Sequence, residues 1–176
     1  MNVIQASTLP PPPTQPVFDP RELRTTLGSF PTGVTVVTAL ARDGRPLGIT
    51  VNSFASVSLL PPLILWSQAR TSPSHEDFAA AGTMVINILA ATQRDISARF
   101  ARPHPDKFAG VAISRLPCGT PILEGCAATL VCTPKTRHDG GDHTIHLCAV
   151  DTFTNHRRAP LIFCRGDYLA PSSLVS

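Results

Sequence analysis

No apolar run in this chain approaches the roughly 18 residues needed to cross a bilayer, and no basic stretch leads into an apolar one at its start. Neither a membrane span nor a signal peptide is expected, and the chain reads as soluble and cytoplasmic. Lysine and arginine form no run either. The net charge of +3 comes from scattered residues, so duplex nucleic acid is not an expected partner, whereas a small anionic ligand would account for the mild excess. Cys-x-x-Cys is absent. The five cysteines, Cys118, Cys126, Cys132, Cys148 and Cys164, are odd in number and sit in apolar segments, the pattern of free buried thiols in a reducing compartment. There is no Gly-x-Gly-x-x-Gly, no Walker loop and no Gly-x-Ser-x-Gly. The Rossmann and P-loop routes to a nucleotide and the nucleophile elbow are therefore unsupported.

The chain has 176 residues, of which 43% are hydrophobic, enough for one domain with a proper core and too few for two comfortable ones. Residues 1–17, with Leu9-Pro10-Pro11-Pro12-Pro13 and Pro16, read as a disordered or polyproline tail. Residues 18–170 read as the folded domain, and 171–176 as a frayed end. Asp19-Pro20-Arg21-Glu22 has the form of a capping box and predicts a short helix with Leu23 and Leu27 facing in. Val34 to Ala39 is β-branched and reads as a strand, turned by Asp43-Gly44 into the next. Further strands are expected at Leu63 to Ser67, Met84 to Leu89, Val111 to Leu116, Ile122 to Thr133, His143 to Thr154 and Leu161 to Cys164. Short helices are expected after Ser74 and over Thr92 to Phe100, and Lys135 to Asp142 reads as a polar hairpin loop. Seven or more strands joined mostly by hairpins point to a mainly β, antiparallel barrel with a few short helices.

The organising stretch is Gly48 to Leu60. Read as one strand, it places Thr50, Asn52, Phe54, Ser56 and Ser58 on one face, a face of short neutral hydrogen-bonding groups with an aromatic among them. Such a face suits a flat polar ligand, and it also fits an ordinary half-buried strand. Arg70-Thr71-Ser72-Pro73-Ser74 precedes a helix start where Ser74 and Asp77 form a plausible N-cap pair. Three hydroxyls and an arginine beside free backbone N–H groups outline a phosphate site, or simple capping with a solvated arginine. His138, His143, His146 and Cys148 cluster in sequence, but His143 and His146 point to opposite faces of a strand and His146 shares its face only with Cys148. Metal binding is therefore not expected. His143, directly after the Gly-Gly-Asp turn, would stand at a barrel rim, where it either meets a ligand or merely bonds the turn.

Taken in order, several stretches together resemble the short-chain flavin reductases that serve two-component monooxygenases. They are Phe30-Pro31-Thr32-Gly33-Val34-Thr35-Val36-Val37-Thr38, Gly48 through Ser58, Pro61-Pro62-Leu63, Ser72-Pro73-Ser74 and Asn87-Ile88-Leu89. Gln93-Arg94-Asp95-Ile96-Ser97, Arg99-Phe100-Ala101, Asp106-Lys107-Phe108, Gly119-Thr120-Pro121, Gly141-Asp142-His143 and Gly166-Asp167-Tyr168 complete the set. The resemblance covers roughly residues 18 to 169. It implies the FMN-binding split barrel, of Greek-key type, in a homodimer that uses FMN or FAD with NADH or NADPH and passes reduced flavin to a flavin-dependent monooxygenase. By the same resemblance Thr50, Asn52, Ser53 and Phe54 would border the flavin ring. Ser67, Arg70, Thr71, Ser72 and Ser74 would meet the ribityl phosphate, with Arg99, Phe100 and Ala101 near the phosphate or adenylate end. His143 would border the nicotinamide and act on its positioning and electrostatics. Two departures from the family pattern stand out: Cys148, where glycine is frequent, and Trp66-Ser67-Gln68-Ala69 just ahead of the phosphate segment.

Overall fold

Two 13-residue strands, β9 (Ala128–Gly140) and β10 (His143–Asn155), form the spine of the molecule, paired through the turn Gly141-Asp142, where Gly141 has φ +77°. The computed structural model describes residues 18–169; the expected tail at 1–17 and frayed end at 171–176 lie outside the described residues. Around the spine runs a seven-stranded antiparallel sheet in the order β3-β2-β6-β9-β10-β5-β4. Its other members are β2 (Thr35–Leu40), β3 (Pro46–Val51), β4 (Ala55–Leu59), β5 (Pro62–Ala69) and β6 (Met84–Ile88). A small sheet of β1 (Thr32–Gly33), β11 (Ile162–Cys164) and β12 (Asp167–Leu169), a hairpin of β7 (Ile113–Arg115) and β8 (Pro121–Leu123), and helices α1 (Pro20–Leu27), α2 (His75–Ala80) and α3 (Arg94–Ala101) complete the fold.

The inward faces of the large sheet supply the main core, in which Val37, Trp66, Phe78, Met84, Ile86, Cys132 and Cys148 are fully buried. A second cluster around Val36, Leu89, Phe100 and Leu123 packs α3 and β8 onto the sheet. Between the two stands Asn87. Its Nδ2 donates to Val36 O at 2.9 Å and its Oδ1 accepts from Leu123 N at 2.9 Å, so one buried amide ties β6 to β2 and β8.

The antiparallel barrel expected from sequence is present, and the differences lie at its joints. Gly48 to Leu60 is not one strand. β3 pairs with β2, whereas β4 pairs with β5, and residues 52–54 bend between them. The hydroxyl of Ser53 drives the break: it accepts from Ser67 N and donates to Ser67 O, both at 2.9 Å, taking the place of a backbone ladder rung. The continuous polar face of Thr50, Asn52, Phe54, Ser56 and Ser58 therefore does not exist. Ile122 to Thr133 is likewise divided, by the turn at Gly125 (φ +79°). The expected loop Lys135 to Asp142 is strand up to Gly140, because the polar residues of that segment are laddered to β10 and need no buried face. Residues 167–169 form β12 by pairing back onto β11 through the turn Arg165-Gly166, and the Tyr168 hydroxyl, 2.8 Å from Ser97 Oγ, and Arg94 over the ring fasten it to α3. In α1, Asp19 Oδ1 accepts from Arg21 N, but Leu23 and Leu27 are exposed: no described element covers that face.

Candidate functional site

A cleft of about 630 Å³ opens between β3 at Pro46 to Ile49, the segment Ser72 to Asp77, and the loop Phe100 to Phe108. Its floor depends on a missing side chain. A Cβ at Gly48 would enter the ring of Phe100, so glycine lets α3 close onto β3, and Phe108 then packs edge-on to Phe100 with centroids 5.0 Å apart. Asp106 Oδ1 accepts from the backbone N–H of Phe108 and of Ala109, both at 3.0 Å, and so turns the loop back toward the floor. That turn delivers Lys107. Its Nζ donates to Gly48 O at 3.1 Å and to Phe100 O at 3.0 Å, and partial burial pulls its pKa below the ordinary lysine value. Among the described residues Lys107 has no carboxylate partner. Arg45, by contrast, is matched by Asp77 at 2.9 Å and Asp43 at 3.7 Å. Arg102 and His104 stand exposed on the outer lip. A half-buried cation held only by carbonyl oxygens retains its whole charge for an anion.

Facing the same cleft are Ser72 and Ser74. Their Oγ atoms lie 3.2 Å apart, and each accepts from Gln68 Nε2, at 3.3 and 3.4 Å. The expected N-cap pair is not formed. Ser74 makes no side-chain cap bond and Asp77 turns to Arg45. Hydroxyls at 72 and 74, a cation at 107 and aromatic and proline walls at 100, 103, 105 and 108 form a donor set for a phosphate carried on a larger, partly apolar molecule.

Of the residues assigned to a cofactor from sequence, Ser72, Ser74, Phe100 and Ala101 line this cleft, with Phe100 its buried floor. The others do not line it. The Thr50 hydroxyl donates to Ser97 O at 2.8 Å, and that of Ser53 is committed to the backbone of Ser67. Phe54 packs on the main core, while Asn52 and Thr71 are exposed. Arg99 donates to Ala109 O and fastens the far end of the cleft loop. Arg70 pairs with Asp139 at 2.8 Å, its backbone N–H donating to Asp142 O at 2.9 Å. His143, the first residue of β10, is half-exposed with Nδ1 2.6 Å from Asp142 Oδ1, and that contact lowers the Asp142 carboxyl from its ordinary pKa. His143, Asp142, Arg70 and Asp139 thus gather at the tip of the β9–β10 hairpin. His146 and Cys148 are buried on the opposite face of β10, as the spacing requires.

Sequence reasoning gave no role to Lys107, Arg45, Arg102 or His104. Asp106-Lys107-Phe108 was a visible motif, but what makes Lys107 matter is its seat on two carbonyls far apart in sequence.

The model of the flavin reductase like domain matches residues 27–172. The reductase component of the flavin-dependent trigonelline monooxygenase of Acinetobacter baylyi is 47% identical over 152 residues, 86% of this chain and 49% of that protein. The NADH-dependent FMN reductase SmoA of Agrobacterium fabrum is 41% identical over 173 residues, covering 96% of this chain and 97% of SmoA. Among solved structures, the NADH:FAD oxidoreductase SgcE6 of Streptomyces globisporus superposes with TM-score 0.80 at 36% identity, over 90% of this chain and 99% of that one.

The chain belongs to the flavin reductase family.

Its large antiparallel sheet is therefore the split barrel that the resemblance implied. Relatives differ in length, and the chain spans about half of some of them, the trigonelline monooxygenase component included. Among the described residues no helix is long and apolar enough to cross a membrane.

Proposed function

We propose that this flavin reductase is a cytoplasmic NAD(P)H:flavin oxidoreductase that reduces FMN or FAD and, as a homodimer, hands the reduced flavin to a flavin-dependent monooxygenase. One observation carries the reading: the cleft that joins the hydroxyls of Ser72 and Ser74 to the carboxylate-free cation Lys107, in a chain of this family. Relatives named as NADH-dependent FMN reductase and as NADH:FAD oxidoreductase support the cofactor pair, with NADH as the expected donor. Relatives named as reductase subunits of monooxygenases support the partner.

The nicotinamide and the flavin together supply the hydride chemistry. The chain's own contribution is placement. Ser72, Ser74 and Lys107 hold the phosphate-bearing end, and Phe100 and Phe108 wall the cleft behind it. At the hairpin tip Asp142 keeps the His143 ring oriented through Nδ1, and His143 positions the nicotinamide rather than moving an obligatory proton. A cleft open to solvent suits a flavin that must leave after reduction.

The test is anaerobic. Purified protein is given excess FMN or FAD, then NADH or NADPH, and the flavin absorbance is followed against a protein-free control. Catalytic bleaching is expected, fastest with one flavin and pyridine pair; flavin that binds and never bleaches would leave a flavin-binding protein and refute the reductase.

A further inference from the structure

Gln68 lies on β5 with 1% of its surface exposed, its side chain reaching from the sheet interior toward the segment that lines the cleft. Its Nε2 donates to Ser72 Oγ and to Ser74 Oγ, at 3.3 and 3.4 Å, and those two oxygens are 3.2 Å apart. An amide nitrogen only donates. Both serine oxygens therefore use acceptor capacity on Gln68 and keep their hydrogens. One O–H can bridge the pair, which leaves the other for the cleft that both residues line. On arrival of an anion both hydroxyls can turn toward it without leaving an oxygen unpaired behind them. Gln68 Oε1 is buried without a partner among the described residues, so the two serine bonds are what the described fold offers this amide in return for its burial.

We propose that Gln68 is a positioning residue that sets Ser72 and Ser74 as a donor pair for the phosphate of a flavin nucleotide, and so makes this protein select phosphorylated flavins over riboflavin. The proposal rests on the flavin reductase reading and adds a specificity to it. It also gives a task to one residue of the unusual Trp66-Ser67-Gln68-Ala69 stretch. With an apolar side chain at 68 the two hydroxyls lose the donor behind them and satisfy each other. With a carboxylate at 68 they would turn their hydrogens inward to it, and its charge would oppose the phosphate.

The experiment compares equilibrium binding of FMN and riboflavin, measured by quenching of flavin fluorescence, in the wild type, Gln68→Met, Gln68→Glu and the double variant Ser72→Ala/Ser74→Ala. Riboflavin shares the ring and the ribityl chain, so it reports any general damage to the fold within the same preparation. Expected are an FMN Kd about tenfold higher in Gln68→Met, a larger rise in Gln68→Glu, and a riboflavin Kd unchanged in both. The serine double variant should lose the same discrimination, and Gln68→Met added to it should cost nothing further. Equal weakening of both flavins, or an unchanged preference for FMN in Gln68→Met or Gln68→Glu, would overturn the proposal. A wild type that binds phosphorylated and plain flavin alike would overturn it while leaving the reductase reading intact, and one that binds neither would overturn both.

Discussion

His146 should make the stability of this protein fall steeply in mild acid, and His146→Phe should remove that dependence. The imidazole is 1% exposed and stacked on Trp66, with ring centroids 4.3 Å apart and planes 8° from parallel. Both ring nitrogens lack a partner among the described residues. Burial, helped by the nearby charges of Arg137 and His75, lowers its pKa from 6.5 to about 4. In the unfolded chain the ring protonates near 6.5, so between pH 6.5 and about 4 the unfolded state binds the extra proton and the folded state does not. Stability contributed by the neutral ring is complete above 6.5 and drains away as pH falls through that window, by about 3 kcal/mol. Phenylalanine keeps the stacked ring and carries no proton, so its stability at pH 7 should stay within about 1 kcal/mol of the wild type. Urea unfolding followed by the fluorescence of Trp66, the only tryptophan, reads both proteins at pH 7 and pH 4. Groups that titrate alike in both proteins cancel in the difference. The wild type should lose about 3 kcal/mol more than His146→Phe, and equal losses would refute the reasoning.

Three other substitutions probe the cleft and the hairpin tip. Gly48→Ala drives a Cβ into the Phe100 ring and should lower stability by about 2 kcal/mol, read as an earlier thermal transition; an unchanged melting point would mean that α3 yields freely. Lys107→Met leaves the carbonyls of Gly48 and Phe100 without their donor and removes the cleft's unmatched charge. FMN binding should weaken about tenfold and lose most of its dependence on salt, and retained affinity would exclude Lys107 from the phosphate end. His143→Ala should slow flavin reduction by roughly tenfold to a hundredfold in stopped flow with the flavin Kd unchanged; complete loss of turnover would show that more than positioning was removed.

Most local signals in the sequence were read correctly, although the Ser74 and Asp77 cap pair is not formed. The β-branched run at Val34 to Ala39, the Asp43-Gly44 turn and the rim position of His143 depend on neighbours in the chain, and the structure has all three. The errors came where a distant partner decides. Nothing within Gly48 to Leu60 reveals that the Ser53 hydroxyl will capture the backbone of Ser67 and split the strand. The polarity of Lys135 to Asp139 suggests a loop until β10 is there to pair with it. Leu23 and Leu27 have the spacing of a buried stripe, yet burial also requires a surface to meet, and helical periodicity cannot supply one.

The same distinction separates the two halves of the site. The hydroxyls of Ser72 and Ser74 were legible because serines around a proline before a helix are a short-range pattern, but their direction is set by Gln68 from inside the sheet. Lys107 became a ligand candidate only through a turn closed by Asp106 and a floor opened by Gly48, fifty-nine residues away from it along the chain. Side chains that present chemistry to a ligand can be found by type and spacing. Those that aim it are ordinary buried residues whose bonds run across the sheet, and the serine pair without its amide, or the lysine without its glycine, would be the same motif with its donors turned elsewhere.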